Sequence, residues 1–154
     1  MADSIFVFGA KYLYLLAFVV AAIWLVRLPA EKRKGALIFA AVALPAIFIA
    51  SRIASWLYLD PRPFVVGHFT PLVPHAADNG FPSDHTLLVS AIASIIFPFD
   101  RKTSVFVWIV AALVGISRVY VGIHHLIDIV GSVVISIAMS AIVYWALRKF
   151  NVVR

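Results

Sequence analysis

Five apolar runs, each near the length that crosses a bilayer, occupy most of this 154-residue chain. No other feature limits its fold so tightly. A spanning helix takes about 20 mostly apolar residues. The runs fall at about 5–26, 35–59, 82–99, 103–121 and 126–147, with Lys11 interrupting the first near its start. They are too long and too continuous for strands, and backbone in lipid must satisfy its own hydrogen bonds, so each is predicted to be a helix. Only 13% of the residues are charged and the mean hydropathy is +1.03, whereas a soluble domain is about one quarter charged. The predicted fold is therefore all-α: an integral membrane protein with a bundle of about five transmembrane helices, in a single domain over 1–154. The first run has no basic leader and no small-residue cleavage site, so it is expected to be a retained span.

The connections separate two faces. Loops 27–35 and 100–102 and the tail 148–154 are short and basic, and together hold nine of the thirteen Lys and Arg. The positive-inside rule places that side in the cytoplasm and the N-terminus outside. The net charge of +6 is explained by those loops without a nucleic-acid partner. Connection 60–81 is longer and carries Pro61, Pro63, Pro71 and Pro74 among Phe64, Val65, Val66, Phe69, Leu72 and Val73. Its apolar content argues against disorder and for an interfacial cap. All five histidines and five of the seven acids fall on the outer side. Trp56 and Trp145 suit interfacial belts. The chain has no cysteine, which excludes disulfides, thiolate chemistry and Cys-ligated metals.

Three polar patches, distant in sequence, are brought to the outer face by this topology: DPRPF (60–64), PSDH (82–85) and SRVYVGIHHLID (117–128). Ionisable groups near membrane depth are costly and so are functional candidates. Pro82 suits the first turn of a helix, whose free N–H groups and positive dipole end favour an anion. Ser83 can donate to phosphate. Arg62 and Arg118 supply guanidinium forks that match phosphate oxygens. His124 and Asp128 lie four apart, so on a helix they share a face. A carboxylate holding one imidazole nitrogen leaves the other free as a nucleophile. His85, on the opposite helix, can give and take a proton. His125 also lies within reach of Asp128 and is the alternative nucleophile. His68 and His75 read as loop residues, with headgroup recognition or lid closure as their functional reading. Asp60 reads as a turn residue before Pro61.

These patches resemble the signature of the type-2 phosphatidic acid phosphatase superfamily, which includes the vanadium haloperoxidases. That signature is Lys, six residues, Arg-Pro; then Pro-Ser-Gly-His; then Ser-Arg, five residues, His, three residues, Asp. Ser117, Arg118, His124 and Asp128 match the third part, and Pro82, Ser83 and His85 match the second with Asp84 in place of Gly. Arg62-Pro63 match the first, with Ser55 at the Lys position. Arg52, one turn away, is the candidate substitute for the missing cation. Asp84 is expected to pair with Arg52, Arg62 or a substrate-bound cation, and with Ser117 it is a candidate headgroup contact.

The resemblance implies a haloperoxidase-like helical core and a lipid phosphatase working without metal or cofactor. His124 would attack phosphorus, Asp128 would orient it, and His85 would protonate the leaving oxygen and then activate water. Arg62, Ser83 and Arg118 would bind phosphate. The PSDH variant, the small size and the outward site are most similar to undecaprenyl-pyrophosphate phosphatases of the bacitracin-resistance type, in the bacterial cytoplasmic membrane, with polyprenyl diphosphate as substrate. Phosphatidate, phosphatidylglycerol phosphate and lipid A are alternative substrates. Outside the enzyme class, buried His, Asp and Arg could serve a transporter subunit or a proton relay. HHLID with His85 could also hold a metal, although two arginines in the cluster would repel the cation.

Overall fold

The computed structural model describes residues 2–153. Its helices are α1 (Ala2–Tyr12), α2 (Tyr14–Arg27), α3 (Ala30–Leu57), α4 (Pro63–Val66), α5 (Asp84–Ile96), α6 (Arg101–Tyr120) and α7 (Leu126–Lys149). All five apolar runs are helical. Among the described residues, only α3, α6 and α7 are each long and apolar enough to cross a membrane alone; α1 and α2 form a fourth span if counted together across a 49° bend. The third run is helical over only 13 residues, in α5. At 1.5 Å per residue that is about 20 Å, short of the ~30 Å hydrocarbon layer.

Its position explains the shortness. α5 is the centre of the bundle, packed by α2, α3, α6 and α7, and ten of its residues are buried. Val89, Ile92 and Ile96 meet Trp24, Ala36, Val107, Val110 and Val114 on one side. Leu87, Ala91 and Ile95 meet Phe39, Ile47 and Val143 on the other. α7 approaches closely because it presents Ser132, Ser136 and Ser140, a buried row at four-residue spacing. Ser132 Oγ donates to Ser83 O (2.9 Å) and Ser136 Oγ to Leu87 O (3.1 Å). Small residues with hydroxyls suit contact between helices in lipid, where large apolar side chains gain nothing by turning inward. The large ones point outward accordingly: Phe48, Ile53, Leu113, Ile116, Val134 and Ile142 are all exposed.

Connection 58–83 is ordered and packs on one end of the bundle. Val73 is buried with Ala10, Val121 and Ile123, and Phe64 packs beside them. Leu72 N donates to Val121 O (3.0 Å). The loop returns on itself through Asn79, whose Oδ1 accepts from the N–H of Asp60 (2.9 Å) and of Phe81 (3.1 Å). Pro82 does not open α5 as expected. It follows a cis bond after Phe81, and Ser83 is the residue that caps the helix.

Candidate active site

The end of α3, the start of α5 and the α6–α7 turn meet at the end of the bundle that this loop covers, so the three polar patches share one face. The α6–α7 turn is tight because Gly122 takes φ +81°, a conformation that costs other residues. It places His124 just before α7, almost wholly buried.

His124 Nδ1 donates to Asp128 Oδ2 at 3.0 Å. The same oxygen accepts the His125 backbone N–H at 2.9 Å, so the carboxylate is fixed by two donors. A proton held on Nδ1 leaves the Nε2 lone pair free. Nε2 faces two guanidinium groups, Arg62 Nη1 at 3.3 Å and Arg118 Nη2 at 3.2 Å. Burial first, and then the charges of Arg118 and Arg62, push the His124 pKa down to about 3. The ring is therefore neutral at ordinary pH. An unprotonated nitrogen between two fixed cations can act as a nucleophile toward an anion held by those cations.

Each arginine is held from behind. Arg62 donates from Nε to Asp78 Oδ1 (2.7 Å), from Nη1 to Ile123 O (2.8 Å) and from Nη2 to Asn79 O (3.4 Å). Burial raises the Asp78 pKa, but the Arg62 hydrogen bond and charge outweigh that and leave it below the usual carboxylate value. Arg118 reaches across from α6 to Ala10 O (3.3 Å) on α1 and to His75 Nε2 (3.4 Å). Its Nε is buried with no partner among the described residues.

Arg62, Arg118, His124 and Asp128 are thus joined in one hydrogen-bonded cluster. Ser83 is fully buried beside it, with its N–H on Asp128 O (3.3 Å) and its Oγ accepting from Thr86 Oγ1 (3.2 Å). His85 sits half-buried in the first turn of α5, its ring edge-on to Tyr14 at 4.7 Å. Arg52 and Asp84 pair with each other (2.9 Å) on the exposed side. Of the partners expected for Asp84, Arg52 is the one it takes. Ser117 donates to Leu113 O (2.7 Å) within its own helix. His68 is exposed.

Four further residues enter the site from the loop and the turn. His75 lies 6.2 Å from His124, ring centre to ring centre. Burial and then the Arg62 charge lower its pKa. Asp78 braces Arg62. Asn79 Nδ2 donates to Ser55 O (2.9 Å), Ser55 Oγ (3.1 Å) and Tyr58 O (3.0 Å). A neutral carboxamide therefore meets the position where the resembling family carries lysine. Asp60 is more than a turn residue: its Oδ2 accepts from His125 Nδ1 at 2.9 Å. Spacing could not reveal these contacts, because each joins a loop residue to a partner more than a dozen residues away. The one cue was that all of them are polar residues on the outer side. Asp60, His125 and Asp128 have ligand atoms within 4.8 Å of one another and could in principle hold a cation. Their facing atoms are already engaged in the hydrogen bonds just described.

The sequence matches the model of the PAP2 superfamily over residues 36–151, from α3 to the end of α7. It is 38% identical to undecaprenyl-diphosphatase BcrC of Bacillus subtilis over 136 residues, covering 88% of this chain and 69% of the relative. It is 32% identical to the bacitracin transport permease protein BcrC of Bacillus licheniformis, covering 98% of this chain and 74% of the relative. The fold superposes on crystal structures of Aquifex aeolicus LpxE (TM-score 0.67, 22% identity, 94% of this chain and 86% of the other). It also superposes on a transmembrane PAP2-type phosphatidylglycerolphosphate phosphatase of B. subtilis (TM-score 0.57, 25% identity, 95% of this chain and 74% of the other). With the family model covering most of the chain and its helical core reproduced, the protein belongs to the PAP2 superfamily.

Proposed function

We propose that the protein is a membrane phosphatase that removes the terminal phosphate of a polyprenyl diphosphate, undecaprenyl diphosphate above all, through a phosphohistidine at His124. The observation that carries this reading is the placement of His124 Nε2 between Arg62 and Arg118 with Nδ1 on Asp128. The identity to undecaprenyl-diphosphatase BcrC supports the choice of substrate.

The terminal phosphate lies across the two guanidinium groups and the α5 N-terminus, with Ser83 beside it. Nε2 attacks phosphorus as the bond to the bridging oxygen breaks. Asp128 stabilises the cationic ring that forms. His85 delivers a proton to the departing lipid monophosphate. It then takes a proton from a water molecule that attacks phosphohistidine, and inorganic phosphate leaves as Nε2 recovers its lone pair. Water supplies the oxygen and both protons, so the cycle closes without an external oxidant or metal. The chain lies as a single domain in the bacterial cytoplasmic membrane, with its N-terminus and site outside and its C-terminus inside. There the reaction returns a cell-wall lipid carrier to its monophosphate form.

Phosphatidylglycerol phosphate is the second reading, favoured by the likeness to the B. subtilis phosphatase of that lipid. Release of inorganic phosphate from matched micelles of undecaprenyl diphosphate, phosphatidylglycerol phosphate and phosphatidate decides between them. The highest kcat/KM is expected on the diphosphate, with His124→Ala inactive on all three. A higher value on phosphatidylglycerol phosphate transfers the assignment to that substrate. Full activity in His124→Ala removes the mechanism.

A further inference from the structure

At the end of the bundle away from His124, a cavity of about 540 Å³ opens between α6 and α7. Both helices pack on α5 and hardly meet each other, which leaves the gap. Its walls are apolar, with Trp108 of α6 facing Ile137 and Tyr144 of α7. Its floor holds Ser94 and Ser140, both at least nine-tenths buried, with hydroxyls that have no partner among the described residues. Buried hydroxyls are seldom left unpaired, so two of them lining one cavity point to an occupant with polar atoms. Arg101 and Arg148 stand at its mouth, exposed and in no ion pair among the described residues. Asp100, next to Arg101 in sequence, caps α6 by accepting the N–H groups of Lys102 and Thr103 and forms no ion pair with either arginine. This whole end of the bundle is basic, with Arg27, Lys32, Arg33, Lys34, Arg101, Lys102, Arg148 and Lys149 against Glu31 and Asp100.

We infer that this groove is a second lipid site, one that takes an anionic phospholipid rather than substrate. An acyl chain lies along Trp108, Ile137 and Tyr144, the ester oxygens meet Ser94 and Ser140, and the phosphate rests between Arg101 and Arg148. The volume is in the range of built ligand pockets. Phe97 and Ile137, both on its lining, are exposed apolar residues, so the groove is open to the bilayer, from which the occupant enters. Basic pockets between spanning helices are known anionic-headgroup sites. The nucleophile is about 25 Å away along α6, so this lipid cannot be in the reaction.

Trp108 reports on the groove. In the full chain with Trp24, Trp56 and Trp145 replaced by Phe, so that Trp108 is the one tryptophan left, the protein is placed in phosphatidylcholine nanodiscs. These carry increasing fractions of brominated phosphatidylglycerol or brominated phosphatidylcholine. Phosphatidylglycerol is expected to quench at a far lower mole fraction. Each arginine contributes about five-fold, so the pair Arg101→Gln with Arg148→Gln should raise the half-quenching fraction by roughly twenty-five-fold. Phosphate release at the other face should persist in that pair and report its folding. Ala141→Phe, which fills the groove and keeps both arginines, should also abolish the preference. Equal quenching by the two lipids in the parent, or a preference that survives both variants, overturns the inference.

Discussion

At the scale of the residue, the proposed chemistry rests on which nitrogen of His124 keeps its proton. Asp128 Oδ2 at 3.0 Å holds Nδ1–H, and the guanidinium groups hold the other side. Asp128→Asn preserves the shape but can present an N–H to Nδ1 and so favour the wrong tautomer. We expect kcat to fall on the order of 10²–10⁴-fold with little change in fold, as for other oriented histidines. Steady-state kinetics beside a thermal melt separates those two effects. The pH dependence has a definite sign. The folded pKa of about 3 for His124 lies below the ordinary 6.5, so the unfolded chain takes up the proton first as pH falls between those values. Stability is therefore complete above that window and declines within it. Since Nε2 stays unprotonated through the neutral range, kcat/KM should show no acid limb from this group near neutrality. Arg118→Gln removes a cation that depresses the pKa and should move an acid limb upward. A profile unchanged in shape would show that Arg118 does not set the protonation of His124.

At the scale of the element, sequence and structure part company in instructive places. The helices were legible because hydropathy registers twenty consecutive apolar residues directly. The third motif was legible by its spacing, but the contact is not a shared helix face: His124 lies before α7, and Asp128 in the first turn reaches back to the His124 ring and the His125 N–H. The bend between α1 and α2 has no proline to announce it, and Lys11, two residues before the break, is the one charged residue that interrupts the run there. The short reach of α5 was concealed because a core helix and a lipid-facing one carry the same apolar letters. Asp60, His75, Asp78 and Asn79 could not be ranked, since loop contacts have no period. A single methyl group in that loop should be felt at the site. A Cβ on Gly80 would sit 2.9 Å from Asp128 Oδ2 and 3.1 Å from Asp60 O. Gly80→Ala should push the loop off the turn, costing about 1–3 kcal/mol of stability and slowing turnover. Gly35→Ala is the control. Its Cβ meets nothing closer than 3.8 Å, and alanine in the body of α3 should be neutral or stabilising by up to about 1 kcal/mol. Thermal melts of the two variants should move in opposite directions.

At the scale of the whole molecule, one end of the bundle carries the proposed phosphate site and the other carries most of the positive charge. The positive-inside rule turns that asymmetry into an orientation. Because the chain has no cysteine, single introduced thiols can test it cleanly. Cysteine at His68→Cys, beside the site, should react with a membrane-impermeant maleimide applied outside intact cells, and Lys32→Cys should react only after lysis. The reverse pattern would place the site in the cytoplasm. The central claim is covalent, and it is tested most directly by acid-quench trapping of the enzyme after mixing with undecaprenyl diphosphate labelled at its terminal phosphorus. Label should appear on His124 as an acid-labile, base-stable phosphoramidate, vanish in His124→Ala and accumulate in His85→Ala as water attack slows. Phosphate release at full rate with no label on His124, or label on another residue, would contradict the account.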